Sequence, residues 1–395
     1  MNKTVIIVVF LLCTLSVARA TVGFATQPYL QNMTPNSVTI MWATSGSSQV
    51  HGWVQYGTED CSMEAFQYDR GLKQAFTRIY RVKLENLQPS TTYYYKAVIR
   101  EITGFVGNTS LTWGDKMETD VYSFTTPSED ADQVSCLIFN DVHSNDSFVK
   151  SLVDKNNLSF TNSDFVFFNG DMLNSLPSES EIIDHMLSPY SQLFASKLPF
   201  FAVRGNHEYR NKYARHWFDY VQAGKNNDGY YAFTWGPCFF IVLDTGEDKE
   251  DSHAEYNGLL DCEAYRSSQV AWLETQLNSE ERKKAAFTVV FMHIPFYSNT
   301  STARFSVGDC RRLFMPMMND SHVDLVISGH THKAGVINPD TSHSFPIVIG
   351  GGKDVTEEKK TYCPAVITLK ADRKKLNVDI LDWYGENRGS VTLNK

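Results

Sequence analysis

Phe200-Phe201-Ala202-Val203-Arg204-Gly205-Asn206-His207-Glu208 is the stretch from which the fold can be read. An apolar run of strand length stops at a glycine, then presents an amide, an imidazole and a carboxylate in succession. The pattern recurs along the chain. Cys136 to Asn140 runs into Asp141-Val142-His143, and Phe165 to Asn169 runs into Gly170-Asp171. Phe287 to Met292 ends at His293, and Val323 to Ser328 ends at Gly329-His330-Thr331-His332. Longer polar, helix-like stretches such as Glu179 to Phe194 and Ser267 to Lys284 separate these runs. The alternation predicts layered α/β packing around buried strands. Pro346 to Asp382 reads as β-rich and belongs to the same domain.

In open α/β sheets, ligands bind beyond the carboxyl ends of the strands. The pattern therefore places Asp141, Asp171, Asn206, His143, His207, His293, His330 and His332 on one rim. Carboxylate, imidazole and amide oxygen are donors that first-row divalent metals accept. One four-coordinate ion has no use for so many groups, whereas two ions sharing a carboxylate do. Such a pair, about 3.5–4 Å apart, clamps the attacking and leaving oxygens of a displacement at phosphorus and lowers the pKa of bound water. Glycines before Asp171, Asn206 and His330 are expected to permit tight turns that aim the next side chain inward.

The ordered set D-x-H (141–143), G-D (170–171), G-N-H-E (205–208), a strand ending in His293 and G-H-x-H (329–332) resembles the calcineurin-like metallophosphoesterases. Each motif alone is weak; their order is specific. The resemblance implies a four-layer α/β/β/α domain over 133–395. Carried over by position, Asp141, His143, Asp171 and His332 would hold one ion. Asp171, Asn206, His293 and His330 would hold the other, with Asp171 bridging. His207 would protonate the leaving oxygen or stabilise its charge, a role suited to a group whose ordinary pKa is about 6.5. The implied activity is hydrolysis of phosphate monoesters by a metal-bridging hydroxide. The implied cofactors are two divalent or mixed-valence ions of manganese, iron or zinc, and the partner is a small phosphorylated substrate. Glu208 reads equally well as a buried support or as an exposed residue, and Tyr209, Arg210 and Tyr297 are candidates for the pocket wall.

Upstream, Ser37 to Trp42 and Val50 to Tyr56 alternate with period two, and Tyr80 to Leu84 and Thr91 to Val98 follow, punctuated by turn residues. That spacing predicts a β-sandwich over 21–127. Leu87 to Tyr93 resembles the corner before a late strand of fibronectin type III modules, and Tyr122 to Pro127 resembles a closing strand. This domain, joined through the acidic linker Ser128 to Asp132, resembles the front half of purple acid phosphatases. One position departs from that family. Its members carry an iron-binding tyrosine three residues after the bridging aspartate, where this chain has Asn174. A colourless centre is therefore expected.

Composition agrees with a folded chain of two or three domains: 395 residues, 42% hydrophobic and 21% charged. A net charge of −9 supplies no basic field, which disfavours a nucleic-acid scaffold or an anionic-membrane binder. Residues 1–20 read as a cleaved leader: Met1-Asn2-Lys3 is basic, Thr4 to Val17 is mostly apolar, and Ala18-Arg19-Ala20 offers a cleavage site. An exported, periplasmic or extracellular protein is expected, with no membrane span after cleavage. Export permits disulfides among Cys61, Cys136, Cys238, Cys262, Cys310 and Cys363, although Cys136 sits in an apolar run where an inert thiol is favoured. Sequons begin at Asn32, Asn108, Asn145, Asn157, Asn299 and Asn319. The remaining histidines read as surface or packing residues, with His253 and His343 candidates to approach the pocket on loops. Two rival readings stay open: a phosphodiesterase with the same centre, and a surface binding protein carrying an inactive phosphoesterase domain.

Overall fold

The structure is a computed structural model that describes residues 22–46, 49–224, 227–298 and 304–395. The leader at 1–20 and the sequon at Asn299 lie outside the described residues.

The first domain is a two-sheet sandwich. Ser37–Ser45 is the centre of one sheet, pairing with Tyr29–Thr34, Ile79–Leu84 and the short Gly23–Phe24. Thr92–Val106 is the centre of the other, pairing with Val50–Gly57, Ser110–Glu118 and Tyr122–Thr125. The corner expected before Thr92 is present: the Gln88 N–H donates to the Tyr93 hydroxyl at 2.9 Å.

Period two explains only half of Ser37–Ser45. Val38, Ile40 and Trp42 face the sandwich interior. Thr39, Met41 and Ala43 are buried as well, because Met41 and Ala43 pack with Tyr29 against the second domain. Burying each such apolar side chain contributes about 1.5–3 kcal/mol. Polar contacts fix the orientation: Tyr29 donates to Tyr220 O at 2.8 Å, Tyr95 to Ser196 O at 2.8 Å, and Arg81 to Asp219 O at 2.6 Å.

The second domain stacks two six-stranded sheets. In the first, Phe200–Val203, Phe165–Asn169 and Gln133–Phe139 run parallel. Ala365–Asp372, Lys375–Asp382 and Asn387–Asn394 continue it antiparallel. In the second, Cys238–Leu243, Phe287–Met292, Leu325–Ser328 and Ile347–Ile349 are parallel, with Tyr231–Trp235 and Gly335–Ile337 as antiparallel edges. The stretch from Pro346 to Asp382 is β-rich as expected, and its strands join both sheets.

Strand alternation sorts these apolar runs into layers. Ile138, Phe167, Phe201, Phe240, Val289, Phe291 and Ile327 fill the space between the sheets. The rings of Phe167 and Phe291 stack across it with centroids 3.8 Å apart. Leu137, Phe139, Val166 and Phe168 turn the other way, onto the helix Ser147–Lys155 and the helical stretch from Glu179 to Ala195. Ile241, Val290, Met292 and Val326 meet the helices Cys262–Leu277 and Phe305–Asp320. The result is four layers, helix, sheet, sheet, helix, with the carboxyl ends of the parallel strands of both sheets meeting at one rim.

The six cysteines 61, 136, 238, 262, 310 and 363 are free thiols, and all but Cys61 are buried. Among the described residues no helix is long and apolar enough to cross a membrane.

Candidate metal centre

The chain turns sharply where three of the strands meet the rim. Asp141, His143, Asp171, His330 and His332 all have left-handed backbones, with φ of 52°, 51°, 52°, 68° and 59°. That conformation costs a non-glycine residue roughly 1–2 kcal/mol, and such strain concentrates at functional sites. Cross-strand bonds hold it in place: Asp141 N–H donates to Gly170 O at 3.0 Å, and His143 N–H to Asp171 O at 3.0 Å. The expected role of the glycines is therefore corrected in part. Gly170 adopts a positive φ of 85°, but Gly205 and Gly329 are needed for close approach. A Cβ on Gly205 would lie 2.2 Å from Asp171 Oδ1, and one on Gly329 2.5 Å from Asp141 Oδ2.

Each aspartate has one oxygen tied back and one turned inward. Asp141 Oδ2 accepts from His330 N–H at 2.9 Å and from the Asn140 amide. Its Oδ1 has no hydrogen-bond partner although it is buried, and faces His332 Nε2 at 3.2 Å. Asp171 Oδ1 accepts from His207 N–H at 2.8 Å, and its Oδ2 faces His293 Nε2 at 3.2 Å. His293 Nδ1 bonds Asn169 O at 2.8 Å; since a carbonyl only accepts, that nitrogen carries a proton, and Nε2 is the atom turned toward the carboxylates, where a proton or a cation can sit. His143 Nε2 and His332 Nε2 stand 3.0 Å apart, and His330 Nδ1 lies 2.9 Å from Asn206 Oδ1.

The potential ligand atoms fall into two groups, each gathered within 4.8 Å: Asp141, His143, Asp171 and His332 in one, and Asp171, His293 and His330 in the other. Asp171 belongs to both, and Asn206 adjoins the second through His330. All seven expected ligand positions therefore converge. Asp141 Oδ1 and His293 Nε2 are buried without a hydrogen-bond partner among the described residues, a costly arrangement unless a proton or cation lies among them. The donor set and its convergence fit a pair of divalent cations.

The charges respond to one another. Burial works against His293, yet the Asp171 and Asp141 carboxylates prevail and push it up to about 10. Burial likewise opposes ionisation of Asp141, but His332 and His293 bring it down to about 2. His143 and His330 go the other way, each lowered to about 4 chiefly by burial.

Glu208, ambiguous in sequence, is wholly buried. Its carboxylate accepts three backbone N–H groups: Asp171 at 2.9 Å and Gly205 at 2.7 Å on Oε2, and Leu173 at 2.9 Å on Oε1. It ties together the two loops that carry Asp171 and Asn206. Burial and the Asp171 charge push it up to about 7, with the Leu173 and Gly205 N–H groups pulling the other way.

His207 sits at the cavity edge with Nδ1 bonded to Asn174 O at 2.6 Å, while Arg210 Nη1 donates to Nε2 at 2.8 Å. The neutral ring therefore offers no free N–H to the cavity, and burial together with the Arg210 charge lowers its pKa. A proton arriving at Nε2 would have to displace the arginine. Asn174, where a tyrosine was the family expectation, contributes only this backbone carbonyl to the imidazole.

A cavity of about 370 Å³ opens over these groups, lined by Asp171, Asn206, His207, His330 and His332 and walled by Arg210, Asp248, Lys249 and Arg304. Arg210 was a sequence candidate for the wall; the other three were not, although Asp248 and Lys249 follow the apolar strand Cys238–Leu243 and the turn at Gly246. Tyr209 does not line the cavity, its hydroxyl donating to Asp244 Oδ1 at 2.9 Å. Tyr297 bonds Ser342 instead, at 2.8 Å. His253 and His343 also stay outside: His253 Nδ1 accepts from Glu255 N–H, and buried His343 bonds Phe345 O.

Comparison with known proteins follows the same division of the chain. The profile of the calcineurin-like phosphoesterases matches residues 134–334, and that of the purple acid phosphatase N-terminal domain matches residues 26–126. Purple acid phosphatase 22 of Arabidopsis thaliana is 25% identical over 311 residues, 72% of this chain and 61% of its own. Purple acid phosphatase 21 of the same plant is 24% identical over 286 residues, covering 69% of this chain and 55% of its own. The chain thus spans less than two thirds of either relative. The structure of a purple acid phosphatase from yellow lupin (Lupinus luteus) seeds superposes with a TM-score of 0.67 at 16% identity, over 93% of this chain and 74% of that one. With the matched profile covering more than half its length, the chain belongs to the calcineurin-like phosphoesterases and carries the purple acid phosphatase N-terminal domain in front.

Proposed function

We propose that the protein hydrolyses phosphate monoesters at a dinuclear metal centre held by Asp141, His143, Asp171 and His332 on one side and Asp171, Asn206, His293 and His330 on the other. The observation that carries this reading is Asp171, whose carboxylate is common to two ligand groups beneath a single cavity. When bound, two such cations supply Lewis acidity to the phosphoryl oxygens and lower the pKa of water. The chain's own residues do the rest. Backbone N–H groups of His330 and His207 fix the outer oxygens of Asp141 and Asp171, so the inner oxygens are pre-aimed and little reorganisation is needed. His207, turned by Asn174 O, stands beside Asp171 Oδ2 at 3.8 Å, placed to act on the leaving oxygen once Arg210 gives up Nε2 to a proton. The intact ligand set weighs against an inactive binding protein. The leader-like start at 1–20 supports export.

Hydrolysis of a matched chromogenic monoester and diester is the test, with metal-free protein reloaded separately with manganese, iron or zinc. Metal-dependent turnover favouring the monoester is expected. Preference for the diester would replace the monoesterase with a diesterase, and absence of turnover on both esters with every metal would overturn the enzymatic reading.

A further inference from the structure

One wall of the cavity has more charge than a phosphoryl group requires. Asp248, 4% exposed, stands at its centre. Arg304 Nε lies 3.4 Å from Oδ2, while Lys249 Nζ and Arg210 Nη2 lie 3.7 and 3.9 Å from Oδ1. All four line the same cavity as the ligand groups. Arg210 is also held by buried Glu247 at 2.9 and 3.0 Å, and Lys249 by exposed Glu255 at 2.7 Å. Arg304 has Asp248 as its ion partner among the described residues and keeps 47% of its side chain exposed. The backbone around Asp248 is fixed too, since its carbonyl accepts from Ser306 Oγ at 3.1 Å and Ser306 N–H at 3.3 Å. That contact ties the loop to the start of the helix Phe305–Asp320.

Arg210 and Lys249 share Asp248 but are also matched by Glu247 and Glu255, so half-exposed Arg304, held by Asp248 at 3.4 Å, is the cation best placed to pair with an anionic ligand in the cavity. The guanidinium of Arg304 meets Asp248 through Nε, and the outer donors of its planar fork are the pair suited to grip an anion. At about 370 Å³ the cavity lies near the lower end of ligand sites, which run to roughly 300–1,000 Å³. We propose that this wall is a second anion subsite. The preferred substrate is then a compact phosphate monoester whose leaving group bears a further carboxylate or phosphate. This inference rests on the phosphoesterase reading above.

The test uses metal-loaded protein and two non-hydrolysable phosphonates, 3-phosphonopropionate and propylphosphonate, which differ by a terminal carboxylate in place of a methyl. Calorimetric titration is expected to show the carboxylated ligand binding about tenfold more tightly, a size in keeping with a charge-assisted pair. Arg304→Gln and, separately, Lys249→Gln should each reduce that ratio severalfold, with thermal melting to confirm that both variants fold. Equal affinity for the two phosphonates, or a preference that survives both substitutions, overturns the subsite. Chromogenic-ester hydrolysis by the same preparation separates the failures. If it proceeds, the phosphoesterase reading stands alone; if neither hydrolysis nor phosphonate binding occurs, both fall.

Discussion

Glu208→Gln is the perturbation whose consequences follow most directly from the structure. The carboxylate accepts the N–H groups of Asp171, Gly205 and Leu173 at 2.9, 2.7 and 2.9 Å with no exposure to solvent. Glutamine keeps the shape but has one acceptor oxygen. If that oxygen keeps Asp171 and Gly205, the amide NH2 confronts the Leu173 N–H, donor against donor. Hydrogen bonds to a charged acceptor contribute about 1.5–3 kcal/mol, and an unsatisfied buried donor costs about 1–3 kcal/mol. Against this, the neutral amide escapes the penalty that pushes the acid up to about 7. The net loss comes to roughly 1–3 kcal/mol of stability, or about 2–10 °C in Tm at the few degrees per kcal/mol typical of larger domains. Because the Leu173 bond is lost and those to Asp171 and Gly205 no longer reach a charged acceptor, the loop that carries Asp171 loosens and metal affinity should fall about 10–100-fold, the usual cost of removing a group that orients ligands. The assay is a manganese titration of metal-free wild type and variant, followed by melting and metal analysis, so that a folding defect and a loosened site are read separately. A Glu208→Gln protein that melts with the wild type and binds manganese equally well would refute the bracing role.

Asp171→Asn removes the carboxylate common to both ligand groups, so metal analysis should find less than one ion retained and turnover should be lost. His207→Ala should lower turnover about 10²–10⁴-fold with metal content unchanged, because the backbone N–H of residue 207, not its ring, bonds Asp171 Oδ1; loss of metal would show that the ring has a different role. Gly205→Ala places a methyl 2.2 Å from Asp171 Oδ1 and 2.4 Å from Asp171 N, a displacement that should cost on the order of 10²-fold in turnover and show as weakened metal binding. Iron-loaded protein should lack a visible tyrosinate band, since Asn174 replaces the phenolate position; a purple solution would mean that another tyrosine reaches the metal.

The sequence makes the ligands readable for a physical reason. Each lies within a few residues of the end of an apolar run, and parallel strands deliver their carboxyl ends to one rim whatever the loops do. Asp141, His143, Asp171, Asn206, His293, His330 and His332 therefore meet where the order of motifs places them. What supports them is less visible. Glu208 offers the same letter whether buried or exposed, and only the fold shows that its carboxylate holds three N–H groups from the loops that carry Asp171 and Asn206. The strain was assigned to glycines by the local pattern, yet the ligand residues themselves carry most of the left-handed turns. Met41 and Ala43 look like the wet face of a half-buried strand until a second domain covers them.

The cavity wall lies at the far limit of legibility. Asp248 follows the apolar run Cys238–Leu243 and the turn at Gly246, whose φ is 67°, but Arg304 stands on a separate loop beside no such run, and the two come together because the helix Phe305–Asp320 packs back against the strand that ends at Leu243. Chemistry and selectivity thus follow from different parts of the chain. The proposed metal ligands sit at strand ends, where the backbone admits few alternatives. The charges that would choose a leaving group sit on loops that can change without disturbing the sheets. A family can keep one centre and alter its substrates on this plan, and for this chain substitutions at Arg304 and Lys249 should change which ester is preferred, whereas those at Asp171 or Glu208 should change whether any ester is cleaved at all.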